Sequence, residues 1–209
     1  MTPLDSMLIA TKNKGKVSEF RELIGDTAMA LRDLADERST PDVVEDGASF
    51  LENACKKARE YAIHFSCWAM ADDSGLAVDA LDGDPGIHSA RWAQMHKAGK
   101  GDADNNRLLL MQIDGVPDEK LKARFMCALA LSDEKGRVIL TAQDSVEGRL
   151  LREPRGENGF GYDPLFFLDT HGKTTAELSS DEKHAISHRG KAMRKMVELM
   201  KENGLLSRE

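Results

Sequence analysis

The chain has 209 residues, 41% hydrophobic and 31% charged, with 29 Lys and Arg against 36 Asp and Glu for a formal net charge of −7. That length suits one large domain or two lobes and buries about 70% of its unfolded surface without disulfide or metal staples. The ordinary apolar fraction excludes disorder as the main state, and the acidic balance argues against duplex nucleic acid as a partner while leaving room for local basic pockets.

Residues 1–10 contain no basic region and only a short apolar run, so no signal peptide is predicted. The longest apolar run, residues 125–131, falls far short of the roughly 20 residues of a membrane helix. Cys55, Cys67 and Cys127 form no CxxC pair and are odd in number, which excludes a zinc knuckle or a disulfide framework. Their apolar neighbours predict buried, reduced thiols in a cytoplasmic protein with no membrane partner.

Along the chain, residues 7–10 predict a short buried strand, 11–16 a polar turn and 17–24 a helix. Ser49 and Glu52 have capping-box spacing, and Leu51, Ala54, Cys55, Ala58, Ala62 and Phe65 follow as an amphipathic helical stripe. Residues 68–71 read as a buried strand that ends abruptly at Asp72-Asp73-Ser74-Gly75. A helix is predicted over 105–113, stopped by Asp114-Gly115, and strands over 122–132 and 137–147 flank a turn longer than the tightest hairpins. Residues 153–161 read as a loop leading into the apolar 164–168, and a single helix from 184 to 202 closes the chain, with Met193, Met196, Val197 and Met200 on one face. Interleaved strands and helices predict an α/β protein with a mixed sheet, with no boundary between independent domains.

Four segments carry chemistry. Thr11-Lys12-Asn13-Lys14-Gly15-Lys16 puts three lysines and a glycine between a strand and a helix N-terminus, where charge, dipole and free backbone donors favour an anion. The Walker A spacing is absent, and a solvated lysine-rich turn is the plain alternative. Asp72 and Asp73 end a buried strand, where carboxylates are rare without a cation to meet. With Glu45, Asp46 and Glu52 they suit Mg²⁺, which binds through one or two carboxylates, waters and substrate phosphates. The alternative is that Asp72 or Asp73 caps a turn before Gly75. His88, His96 and His171 lack paired ligand spacing and read as surface or loop histidines.

The third segment, Gly159-Phe160-Gly161-Tyr162-Asp163-Pro164, would let a planar ligand stack on Phe160 between two glycines; a core aromatic beside a turn is the alternative. The fourth gathers Lys183, His184, His188, Arg189 and Lys191 early in the last helix. An Arg donor there could recognise a keto oxygen, and a solvated basic face is the alternative.

In this order the segments LIATKNKGKVSEF, EDGASFLENACKKA, ADDSGLAVDALDGDPGIHSARWA, GFGYDPLFF and AELSSDEKHAISHRGKA resemble the inosine/xanthosine triphosphate pyrophosphatase family, most closely its bacterial members. The resemblance runs over roughly residues 8–192. It implies two lobes around a long mixed sheet with the active site in the cleft, a single two-lobed domain over 1–209, a homodimer, and Mg²⁺-dependent hydrolysis of ITP, dITP or XTP to monophosphate and pyrophosphate. By the same resemblance Thr11, Asn13 and Lys16 hold the triphosphate within the loop that also carries Lys12, Lys14 and Gly15, and Lys57 is a further phosphate ligand. Glu45 and Asp73 hold Mg²⁺, Asp73 is the proton acceptor and Ser74 lies on the substrate. Phe160 stacks on the base, Gly161, Tyr162 and Asp163 line its pocket, and Lys183, His188 and Arg189 read the purine edge.

A carboxylate bound to Mg²⁺ is a weak base, so Asp72 and Glu52 remain alternatives to Asp73. Two other functions are open: a Maf-type pyrophosphatase with a different base preference, opposed by the SHR and FGYD segments, and a non-catalytic nucleotide sensor, opposed by the retention of Glu45 and Asp73.

Overall fold

A computed structural model describes residues 2–24, 29–37 and 39–207. Strand β1 (Ser6–Ile9) comes where the first apolar run predicts it, with Met7, Leu8 and Ile9 buried. Helix α1 (Lys14–Ile24) starts inside the predicted polar turn, because Asn13 caps it: Asn13 Oδ1 accepts the Lys16 N–H at 3.2 Å. After β2 (Ala30–Asp33), helix α2 (Phe50–Phe65) begins at Ser49 as its spacing predicts. The Ser49 hydroxyl accepts the Glu52 N–H at 3.2 Å, and the Glu52 carboxylate reaches back to the Ala48 N–H at 2.8 Å.

The largest correction concerns β3 (Ala69–Val78). It does not end at Asp72 but runs ten residues straight through Asp72, Asp73, Ser74 and Gly75. There is no turn for either aspartate to cap. Gly75 serves close packing instead: a Cβ there would collide with the Gly86 carbonyl oxygen and the Ser89 hydroxyl.

Short helix α3 (Trp92–Met95) and helix α4 (Asp102–Gln112) follow, the latter starting three residues before its predicted position. Strands β4 (Lys122–Ser132) and β5 (Val138–Leu150) flank a turn closed by Asp133 N–H to Arg137 O at 3.0 Å and Gly136 N–H to Asp133 O at 2.9 Å. Strands β6 (Phe166–Leu168) and β7 (Lys173–Thr174) complete the sheet.

The closing helix is two helices, α5 (Ser180–Ile186) and α6 (His188–Glu202). Ser187 takes an extended conformation (φ −67, ψ 156) and interrupts them. A Ser179/Glu182 capping box starts α5, so Lys183 and His184 lie in its last turn, where cations suit the helix dipole. The basic cluster is thus divided between two helices and does not crowd one N-terminus.

Among the described residues the sheet has seven strands in the order β2-β1-β3-β4-β5-β6-β7. Strand β1 pairs parallel with β2 and β3, while β6 pairs antiparallel with β5 and β7, which is the expected mixed α/β class. The chain divides into two compact units: Met1–Asp73, Cys127–Asp144 and Arg189–Glu209 form unit 1, and Ser74–Met126 and Ser145–His188 form unit 2. The core of unit 1 gathers Met7, Ile9, Phe20 and Leu129 with the predicted methionine stripe of α6. Leu76, Leu109, Phe125, Leu165 and Phe166 lie at the centre of unit 2. The three thiols are free, but only Cys127 is fully buried, and burial pushes its pKa up to about 12; Cys55 and Cys67 are half-buried, contrary to the expectation for all three. Among the described residues no helix is long and apolar enough to cross a membrane.

Candidate functional site

In unit 1 the two β3 carboxylates meet different partners, because successive residues of a strand point to opposite faces. Asp72 is fully buried and faces Lys16 Nζ at 2.8 Å and Arg189 Nε at 3.7 Å. Burial alone would raise its pKa; Lys16, Arg189 and Lys57 outweigh burial and hold it well below the usual carboxylate range. Asp73 accepts Asn53 Nδ2 at 3.1 Å and lies 3.7 Å from Lys57 Nζ. Here burial prevails and Glu45 adds to it, so the Asp73 pKa is raised despite Lys57 and Lys16. The long, shared ion pair explains why Lys57 does not reverse the shift: its ammonium lies closer to Glu45, at 3.3 Å.

Helix α2 supplies both Asn53 and Lys57 from its buried face, four residues apart and therefore one turn apart. Burial would lower the Lys57 pKa, but Asp72, Asp73 and Glu45 hold it above the ordinary lysine value. Glu45 and Asp73 converge on that one ammonium. Two carboxylates around a single cationic point form an oxygen donor set that fits Mg²⁺, which takes its remaining ligands from water and phosphate. Among the described residues no group of three or more His, Cys, Asp or Glu side chains gathers as a metal cluster, so any such ion would rely on the substrate for ligands. Glu52, the third base considered from sequence, spends its carboxylate on the Ala48 N–H at the exposed helix start.

The loop before α1 is ordered by its own polar side chains. Thr11 Oγ1 accepts the Asn13 N–H at 3.2 Å, and Asn13 in turn caps the helix. Lys16 is directed inward to Asp72, whereas Lys12 pairs with exposed Asp42 at 2.5 Å and Lys14 is exposed. Gly15 is half-buried.

Unit 2 holds the aromatic loop. Asp163, nearly fully buried, organises it: Oδ2 accepts the Phe160 N–H at 2.9 Å and Lys183 Nζ at 2.8 Å, and Oδ1 accepts the Thr175 hydroxyl at 2.8 Å. Gly159, at φ 77, admits no Cβ because the Asp163 carboxylate fills that space. Lys183 Nζ also stands 5.0 Å from the centre of the Phe160 ring, a cation–π contact. Tyr162 is buried, with its hydroxyl donated to the Ser89 carbonyl oxygen at 3.0 Å, and His188 stacks on Phe125 with ring centres 4.9 Å apart. Ser74 lies half-buried on β3, at the first position of this unit.

Arg189 faces two carboxylates. Its guanidinium is buried in unit 1 against Glu19 and Asp72, whose charges outweigh burial and raise its pKa. Lys183 and His188, its expected companions, belong to unit 2. Sequence reasoning missed Glu19, Asn53 and Thr175. A polar residue on the apolar stripe, as Asn53 is beside Ala54, is the signal that could have found it.

The chain matches the Ham1 family over residues 7–199. It belongs to that family. It is 46% identical over 199 residues, 95% of this chain and 96% of the relative, to a dITP/XTP pyrophosphatase of Geobacillus kaustophilus. To one of Shouchella clausii it is 43% identical, over 93% of this chain and 96% of the relative. Among solved structures, a HAM1 protein from Coxiella burnetii superposes with TM-score 0.83 at 37% identity, covering 97% of this chain and all of that one. A nucleoside-triphosphatase, dITP/XTP pyrophosphatase, from Mycobacterium abscessus does so with TM-score 0.73 at 41% identity, covering 92% and 98%. The resemblance drawn from the five segments is borne out at the level of the family.

Proposed function

We propose that this Ham1 chain is a nucleoside triphosphate pyrophosphatase that hydrolyses deaminated purine nucleotides, ITP, dITP and XTP, to the monophosphate and pyrophosphate. The names of its relatives support the reaction class and the deaminated bases. The observation that carries the mechanism is that two adjacent carboxylates have different partners: Asp72 is fixed to Lys16 at 2.8 Å beside Arg189, while Asp73 meets Lys57 only at 3.7 Å, which leaves it the freer of the two to meet a water or a metal ion.

In this reading Asp73 takes the proton of a water that attacks the α–β anhydride, and the oxygen between the two phosphoryl groups leaves with pyrophosphate. Lys16 and Lys57 stabilise the departing charge, each exchanging a carboxylate partner for phosphate oxygen. Mg²⁺, held by Glu45 and Asp73, would neutralise phosphate charge. Thr11 and Asn13 shape the phosphate loop, with Lys12 and Lys14 adding only peripheral charge. Ser74 lies on the substrate. Phe160 stacks on the base; Lys183 and His188 face its polar edge, with Gly161, Tyr162 and Asp163 forming the loop beneath. Arg189 we assign to holding Asp72 charged, since its guanidinium pairs with Glu19 and lies 3.7 Å from Asp72.

Discrimination against ATP follows from donors that meet O6 of hypoxanthine or xanthine and oppose the amino group of adenine. A cytoplasmic homodimer acting on free nucleotides, with neither nucleic acid nor membrane as partner, completes the proposal. The deciding experiment measures pyrophosphate release from ITP, XTP, dITP, GTP and ATP, with Mg²⁺ and with chelator. Fast, Mg²⁺-dependent release from the first three alone is expected. Single phosphate as product overturns the mechanism, and tight binding without turnover restores the sensor.

A further inference from the structure

The loop that carries Phe160 is gripped by a helix to which no role in the reaction has so far been given. Asp102 and Asn106 stand four residues apart on α4 and therefore share a face one turn apart. Asp102 Oδ2 accepts the Gly161 N–H at 2.7 Å, and Asn106 Nδ2 donates to the Gly161 carbonyl oxygen at 2.8 Å. One residue of the loop thus has both backbone polar groups taken by one helix turn. The same Asn106 nitrogen donates to the Asp102 carbonyl oxygen at 2.9 Å, which ties the two prongs together. Asn106 Oδ1 is buried with no hydrogen-bond partner among the described residues, so the amide is turned for its donor side.

The helix is itself anchored. Neighbouring Asn105, buried, accepts the Ala93 N–H at 2.8 Å and donates to the Ala90 carbonyl oxygen at 3.3 Å. Gly161 takes the left-handed conformation at φ 63, and a Cβ there would touch nothing within 4 Å, so its hydrogen bonds to α4 hold it where close packing does not. On its other side the Phe160 N–H is fixed by Asp163. The peptide groups on both sides of the ring are therefore set within unit 2.

We propose that Asp102 and Asn106 are positioning residues for base recognition: by clamping the Gly161 peptide they hold the Phe160 ring in place for the purine. The proposal rests on the reading of Phe160 as the base platform. Fixing the ring beforehand removes the ordering cost that a mobile loop would incur on binding. The clamp acts on the base and leaves the phosphate-side charges of unit 1 untouched.

The test compares Asp102→Ala, Asn106→Ala, the double variant and Asp102→Asn, whose side-chain oxygen can still accept the Gly161 N–H. Pyrophosphate release gives KM and kcat for ITP, inorganic tripolyphosphate serves as a baseless competitive probe, and amide hydrogen exchange reports on residues 157–165. In the double variant KM for ITP is expected to rise about tenfold with kcat nearly unchanged, as befits loss of two positioning hydrogen bonds. Tripolyphosphate inhibition stays unchanged, exchange over 157–165 quickens while that over 122–132 does not, and Asp102→Asn restores most of the affinity. Unchanged KM and exchange in the double variant overturn the clamp, and so does a rise of KM accompanied by loss of kcat and of tripolyphosphate affinity, which marks general loss of structure. A wild-type chain that leaves ITP intact defeats the functional reading, and the exchange comparison still decides whether the clamp exists.

Discussion

The charged residues of unit 1 and the aromatic loop of unit 2 are held by different means. In unit 1, side chains distant in sequence neutralise one another: Lys16 with Asp72 at 2.8 Å, Lys57 with Glu45 at 3.3 Å, and Arg189 with Glu19. In unit 2 the loop is fixed through its backbone, by Asn158 N–H to Ala176 O at 3.0 Å, Arg155 N–H to Pro164 O at 2.9 Å, and the side-chain bonds to Phe160 and Gly161. Ion pairs can change partners when an anion arrives, at little cost if the new charges match the old. Backbone hydrogen bonds cannot be handed over in that way, so the loop must have its shape before ligand comes. An adaptable charged set suits phosphates, and a preformed platform suits a planar base.

Substitutions at six residues sharpen or break that contrast. The largest effect is expected from Asp73→Asn: turnover of ITP falls by about 10²–10⁴, the usual share of a general base, with KM changed far less. The wild-type pH profile carries the same information. In the metal-free chain a raised Asp73 pKa means that protons compete with Mg²⁺ for its carboxylate, so the Mg²⁺ concentration that gives half-maximal turnover rises as pH falls. The sign for stability is opposite at the two aspartates. Asp73, with its folded pKa raised, favours the fold at low pH and loses that contribution as pH rises through the folded value. Asp72, with its folded pKa depressed, stabilises above its unfolded pKa and loses that only as pH falls towards the folded value. At neutral pH, then, urea unfolding should find Asp72→Asn less stable than wild type and Asp73→Asn no less stable.

Next comes Arg189→Ala, which leaves Glu19 and Asp72 buried without their guanidinium and should cost about 3–5 kcal/mol by urea unfolding. Arg189→Lys should recover part of it. A stability loss under about 1 kcal/mol would show that the network is solvated and would weaken the account of Asp72. Phe160→Ala should weaken ITP binding by about 1–3 kcal/mol, the range for one stacked base, and leave tripolyphosphate inhibition intact. Weakening of both ligands alike would erase the distinction between the two regions. The smallest change is expected from replacing exposed Lys12 and Lys14 by alanine: the salt dependence of KM becomes shallower while kcat and thermal stability stay close to wild type.

Much of this was legible in order along the chain. The strand before Thr11, the Ser49 cap, the strand over 122–132 and the Met193–Met196–Met200 stripe all follow local rules of capping and periodicity, and the structure keeps them. Local rules misled at Asp72-Asp73-Ser74-Gly75, where polar residues and a glycine imitate a turn. The strand continues because Lys16, Arg189 and Lys57, brought by three separate helices, neutralise its carboxylates. They misled again at Ser187, where one periodic pattern covers two helices.

By itself the sequence determined the α/β class, the kinds of chemical groups available and, through five ordered segments, the Ham1 family. It could do so because capping, periodicity and motif spacing are short-range properties that the order of residues encodes directly. Only the tertiary structure decided which aspartate is paired and which is merely buried, that Arg189 faces Glu19 and Asp72, and that α4 grips Gly161 across 55 and 59 residues of chain. A carboxylate's proton affinity and a side chain's partner depend on burial and on charges within a few ångströms, and those are set by folding the chain back on itself.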